Sequence, residues 1–118
     1  MGILNDLSEE CYRISKDHGF HDPPKSVAED IALMHSELSE ALEDHRSGYK
    51  PDFMWYETKS SSNDAEGPLK PCGIPSEIAD LIIRALDFCG AHNINIDKAV
   101  SEKMAFNRSR PYKHGKVL

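Results

Sequence analysis

The chain of 118 residues is predicted to be an all-α single domain, and three observations carry that prediction. Four segments repeat their apolar residues at helical spacing. Those segments are bounded by capping residues, prolines or glycines where helix ends need them. The one long stretch without such a period, residues 49–73, is rich in Pro, Gly, Ser and Asn and reads as a connection between the second and third helices.

The first helix runs from Ile3 to about Asp17, with Ile3, Leu7, Cys11 and Ile14 as its apolar face and His18-Gly19 as its stop. Pro23 and Pro24 then stiffen a link, because each fixes φ and turns the preceding residue away from helix. Ser26-Val27-Ala28-Glu29 is a capping box that starts the second helix. Val27, Ile31, Met34, Leu38 and Leu42 form its expected core stripe, and Gly48 offers a left-handed end.

Within residues 49–73, Phe53-Met54-Trp55-Tyr56 has strand-like residue types and suggests a short strand or hairpin arm, while Lys59 to Asp64 resembles a flexible tip. A connection this long suggests a lid-like insertion. Pro75-Ser76-Glu77 opens the third helix. Apolar residues cover most of its circumference, so it is expected to be the most buried. Only Glu77, Asp80, Arg84 and Asp87 interrupt it, along one stripe. Asn95 caps the fourth helix, with Ile96, Ala99, Val100 and Phe106, which ends before Pro111. Residues 111–118 form a basic tail.

Two acidic pairs stand out. Glu37 and Glu40 on the second helix, and Glu77 and Asp80 on the third, are each three residues apart and so share a helix face. Brought together they would make a cage of four carboxylates, which is tolerable only around a cation. Oxygen ligands select a hard divalent ion, Mg2+ first and Mn2+ next. Arg84 is the rival explanation, since it lies four residues after Asp80 and can pair with it along the helix.

The net charge of -6 divides unevenly: residues 97–118 carry +4, leaving -10 on residues 1–96. An acidic body argues against a nucleic acid polymer, duplex above all, as the main ligand, since phosphate neutralisation supplies most of that affinity. A small polyanion held between a metal cage and a basic end fits both parts. Lys103, Asn107 and Arg110, continuing the face of Ile96 and Val100, suggest a wall that meets an anion. No apolar run approaches the roughly 18 residues that cross a membrane, so a cytoplasmic location is expected. Cys11, Cys72 and Cys89 lack metal-type spacing and are expected to be reduced thiols. No Glu-x-x-His occurs, which weighs against a di-iron bundle.

With these pieces placed, the sequence from about Leu4 to Arg110 resembles the all-α nucleoside triphosphate pyrophosphohydrolases, the MazG-like proteins related to dimeric dUTPases. The likeness rests on Glu37-x-x-Glu40, then Glu77-x-x-Asp80 within Pro75-Ser-Glu-Ile-Ala-Asp-Leu-Ile-Ile, then Lys103-Met-Ala-Phe-Asn107-Arg-Ser-Arg110. Ser36 stands where many members carry an acid, and the spacer is longer than in the simplest members. The resemblance implies a bundle of four to five helices completed in a homodimer or homotetramer. It also implies Mg2+-dependent hydrolysis of a nucleoside triphosphate to the monophosphate and pyrophosphate, in the manner of nucleotide-pool house-cleaning.

On that basis Glu37, Glu40, Glu77 and Asp80 are the expected metal-binding and catalytic residues, with a water held by the ions or by a glutamate attacking the α-phosphorus. Lys103, Asn107 and Arg110 are expected at the phosphates, from the same or a neighbouring subunit. Phe20, His21 and Trp55 are the candidates for the base pocket. The alternative is a non-catalytic helical module that binds nucleotide or metal, or a protein partner, without turnover.

Overall fold

The structure is a computed structural model that describes residues 2–58 and 67–117. Its axis is helix α3 (Ile74–Ala91), against which both α1 (Ile3–Asp17) and α2 (Val27–Arg46) pack. Helix α4 (Ile96–Ser109) attaches to α1 more lightly, and a turn at Tyr112–Gly115, with Lys113 and His114 in left-handed conformation, follows it. The fold is thus mostly helical, as the spacing predicts. A small antiparallel ladder between β1 (Trp55–Glu57) and β2 (Lys70–Cys72) ties the base of the long connection, pairing Trp55 with Cys72. The tip expected between Lys59 and Asp64 lies outside the described residues.

The local signals behave as their chemistry requires. Ser26 accepts a hydrogen bond from the Glu29 amide, and the Glu29 carboxylate accepts one from the Ser26 amide, closing the capping box. Asn95 accepts from the Lys98 amide at the start of α4. Gly48, just past the end of α2, has φ +95°, the left-handed conformation that suits glycine. The starts of α1 and α4 also cap one another. Asp97 accepts from the Leu4 and Asn5 amides at 3.1 and 2.9 Å, while Asn5 Oδ1 accepts from the Ile96 amide at 3.0 Å. Two sets of orphan helix amides are satisfied by one reciprocal exchange.

Which helix faces are buried differs from the sequence-based expectation. On α1 the buried residue is Ser8, whose hydroxyl donates to Leu86 O at 2.7 Å, while Ile3, Leu7 and Ile14 are exposed. On α2 the buried residues are Glu37 and Ala41, and four members of the expected core stripe, Val27, Ile31, Leu38 and Leu42, face outward. On α3, Leu86 and Cys89 are buried but Ile78, Ile82 and Ile83 are exposed. Met104 and Phe106 of α4 are exposed as well. The reason is geometric: α3 alone has two substantial helical neighbours, so each outer helix covers one flank of its apolar arc.

The overall dimensions agree with that open arrangement. The radius of gyration is 17.3 Å, against about 13.5 Å for a compact domain of this length. The accessible surface is 9164 Å², against roughly 6,400 Å² for a folded monomer of this mass. Among the described residues no helix is long and apolar enough to cross a membrane.

Close approach of α1 to α3 depends on Gly90. A Cβ there would stand 2.7 Å from Tyr12 Cβ and 2.8 Å from Ser8 O. Gly90→Ala is therefore expected to destabilise the chain by about 1–3 kcal/mol, the usual range for overpacking. Urea denaturation checks this through a lower midpoint with an unchanged slope.

Candidate metal centre

Helices α2 and α3 meet through their acids. Glu37 and Glu40 of α2 and Glu77 of α3 each place one carboxylate oxygen within 4.8 Å of the others. Glu37 is the deepest, at 6 % exposure, with Glu77 half-buried and Glu40 exposed. The sequence predicts a quartet; the structure gathers a trio. Asp80 stands outside it, on the wall of the neighbouring cavity.

The partner of Arg84 is also corrected. Its Nε lies 3.6 Å from Glu37 Oε1, across to α2, rather than on Asp80 one turn away. That leaves Glu37 Oε2 buried without a hydrogen-bond partner. A buried, unpartnered carboxylate oxygen is expensive unless something positive reaches it.

The electrostatics agree with the geometry. Burial pushes the Glu37 carboxyl above its ordinary value, Glu40 and Asp80 add to this, and Arg84 opposes it. Glu77 is pushed up to about 7, first by burial and then by Glu40, Asp80 and Glu37. Asp80 is raised by burial against the pull of Arg84, with Glu40 adding. Several carboxyls in one place thus resist ionisation, an electrostatic cost that a cation among them would relieve.

The trio fits a hard divalent ion. Neighbouring oxygens on octahedral Mg2+ are about 2.9 Å apart and opposite ones about 4.2 Å, so the trio, whose oxygens lie within 4.8 Å of one another, has to draw inward to hold such an ion. The donor set is all oxygen, which suits Mg2+ or Mn2+ and lacks the nitrogen and sulfur ligands that zinc favours.

A cavity of ≈ 440 Å³ adjoins this centre and shares Glu37, Asp80 and Arg84 with it. Phe20 and His21, two of the expected base-pocket residues, line it. The His21 ring is fixed by Nε2 at 2.8 Å from Asp87 Oδ1 and by an edge contact with Tyr12, centroids 4.9 Å apart. Apolar walls come from Ile14, Ile83 and Phe88. Lys25 donates to Phe20 O at 2.9 Å and holds the link between α1 and α2 over the cavity.

Trp55 does not join them. It stacks on Tyr49, centroids 4.2 Å apart, and its indole N–H donates to Glu57 at 2.8 Å. Lys103, Asn107 and Arg110 are not brought to the acids either, because α4 packs on α1. The Arg110 guanidinium instead sits 5.4 Å from the Phe106 ring centre.

Sequence reasoning missed the role of Asp87 and the pairing of Arg84 with Glu37. The signal for both was present: they share the single polar stripe of an otherwise apolar helix, and Asp80, Arg84 and Asp87 of that stripe line the cavity. Comparisons with protein-family models, with curated proteins and with solved structures found no match to this chain.

Proposed function

We propose that the chain is a divalent-metal-dependent nucleoside triphosphate pyrophosphohydrolase of MazG-like type, active as a homo-oligomer. The observation that carries the reading is Glu37 Oε2, buried and unpartnered beside carboxylate oxygens of Glu40 and Glu77. An ion there would supply Lewis acidity toward phosphate oxygens and offset charge on the leaving pyrophosphate.

The chain's own groups do the rest. Glu37, Glu40 and Glu77 would hold the ion from two different helices, so the site forms only when α2 and α3 are packed. Glu40 is the exposed member of the trio and can orient the water that attacks the α-phosphorus. The cavity beside Glu37 receives the nucleoside, with Phe20 and the fixed His21 ring as its walls. Its volume lies within the range usual for small-molecule sites.

The oligomer rests on a separate observation. The chain exposes roughly 2,700 Å² more surface than a folded monomer of its mass should, well above the roughly 800 Å² that a standard interface takes from each partner and on the scale of large obligate ones. Outward-facing Leu38, Leu42, Ile78 and Ile82 supply the apolar contact. A second copy also gives Lys103, Asn107 and Arg110 a route to the phosphates. Light scattering is expected to give a dimer or tetramer, and Leu42→Glu to shift it toward monomer; a wild-type monomer at micromolar concentration would contradict this.

The direct test is a panel of canonical and modified nucleoside triphosphates assayed with Mg2+ for pyrophosphate release. Turnover that EDTA abolishes is the expected result. Nucleotide binding without release would instead favour the non-catalytic module, and no binding would remove both.

A further inference from the structure

Resting on that proposed reading of the site, we propose that Arg84 is its phosphate-binding residue, and that it and the divalent ion share Glu37. Arg84 touches Glu37 through Nε alone, at 3.6 Å, which is neither short nor bidentate. Its side chain is 41 % exposed and lines the same cavity as Glu37 and Asp80. A guanidinium held only by Nε keeps its two terminal nitrogens for another ligand, and their planar fork matches a pair of phosphate oxygens.

The alternatives on the cavity wall are already committed. Lys25 is bonded to Phe20 O, and its Nζ lies 5.7 Å from the Phe20 ring centre. His21 is bonded to Asp87. Lys103, Asn107 and Arg110 lie on α4, which packs on α1. Among the described residues, Arg84 is thus the cavity-lining cation that reaches the acid trio, while Lys70 acts on Asp80 without lining the cavity. Charge on Glu37 holds the guanidinium back; once an ion neutralises Glu37, that attraction weakens and the fork is released toward an anion.

The test uses Mn2+ binding by electron paramagnetic resonance at pH 8, and inorganic tripolyphosphate as a probe without a base. Arg84→Gln is expected to tighten Mn2+ about tenfold, the effect of removing one positive charge near a divalent ion. It is expected to weaken tripolyphosphate by about tenfold in the presence of Mn2+. Arg84→Lys keeps the charge without the fork, so Mn2+ affinity is expected to stay within about twofold while tripolyphosphate still weakens.

A residue that merely packs would lower thermal stability and move neither affinity. Looser Mn2+ binding in Arg84→Gln, or unchanged tripolyphosphate binding in both variants, would overturn the proposal while leaving the metal site standing. No Mn2+ binding by the wild-type protein would overturn the metal site itself.

Discussion

Glu37→Gln is expected to lower Mg2+-dependent pyrophosphate release by about 10²–10³-fold, the scale seen when one preorganised transition-state contact is removed. Glutamine keeps the shape of the side chain and the carbonyl oxygen that can face Arg84, but removes the charge. Stability should be preserved or rise, because the substitution takes away a buried carboxylate with an unpartnered oxygen. The opposite pattern separates the rival explanation. If Glu37 served only to pair with Arg84, its neutralisation would lower the melting temperature and leave turnover nearly intact. Retained turnover in a folded Glu37→Gln protein would therefore remove Glu37 from the chemistry.

The second large effect concerns pH. The Glu77 carboxyl is pushed up to about 7 in the folded chain from an ordinary 4.5, and Glu37 and Asp80 move in the same direction. The folded state therefore binds more protons than the unfolded state between those values, and stability falls as pH rises through that window. Glu29 works the other way, held below its ordinary value by its bonds to Ser26, but it is a single exposed group.

In EDTA, the melting temperature is expected to be higher at pH 5 than at pH 7.5, and Glu77→Gln should flatten the difference. Mg2+ should reverse the trend. It binds the ionised carboxylates, so at an ion concentration 100 times its Kd it should add about 2.7 kcal/mol at pH 7.5 and little at pH 5. A thermal melt that ignores Mg2+ at both pH values would count against the site.

Much of the local structure was legible in the sequence because helix ends are set by a few neighbouring residues. Ser26 with Glu29, Asn95 and Gly48 each does in the structure what its chemistry requires. The burial pattern was not legible. Leu38 and Leu42 read as core but are exposed, while Glu37, read as lying beside the stripe, is buried against α3. Helical period shows which residues share a face; it does not show which face has a neighbour. The second strand was hidden for a related reason, since Lys70-Pro71-Cys72 has no alternating pattern and is held by its pairing with Trp55 to Glu57.

The acid site divides in the same way. The i, i+3 spacing put Glu37 with Glu40 and brought Glu77 to the same face as Asp80. Whether the two faces met was a tertiary matter, and three of the four carboxylates converge. Arg84 looked bound to Asp80 by proximity in sequence, yet depth decided otherwise, because Glu37 is the acid most removed from water and needs the counter-charge more. The reach of Lys103, Asn107 and Arg110 could not be read at all, since it depends on where α4 docks and on what a second copy adds.

The central claim is that Glu37, Glu40 and Glu77 together bind one hard divalent ion. Diffraction from crystals grown in Mn2+, collected at the manganese edge, tests it most directly. An anomalous peak within bonding distance of a carboxylate oxygen from each of the three is the expected result. A fully ordered trio with no peak, or manganese bound only elsewhere on the chain, would contradict it.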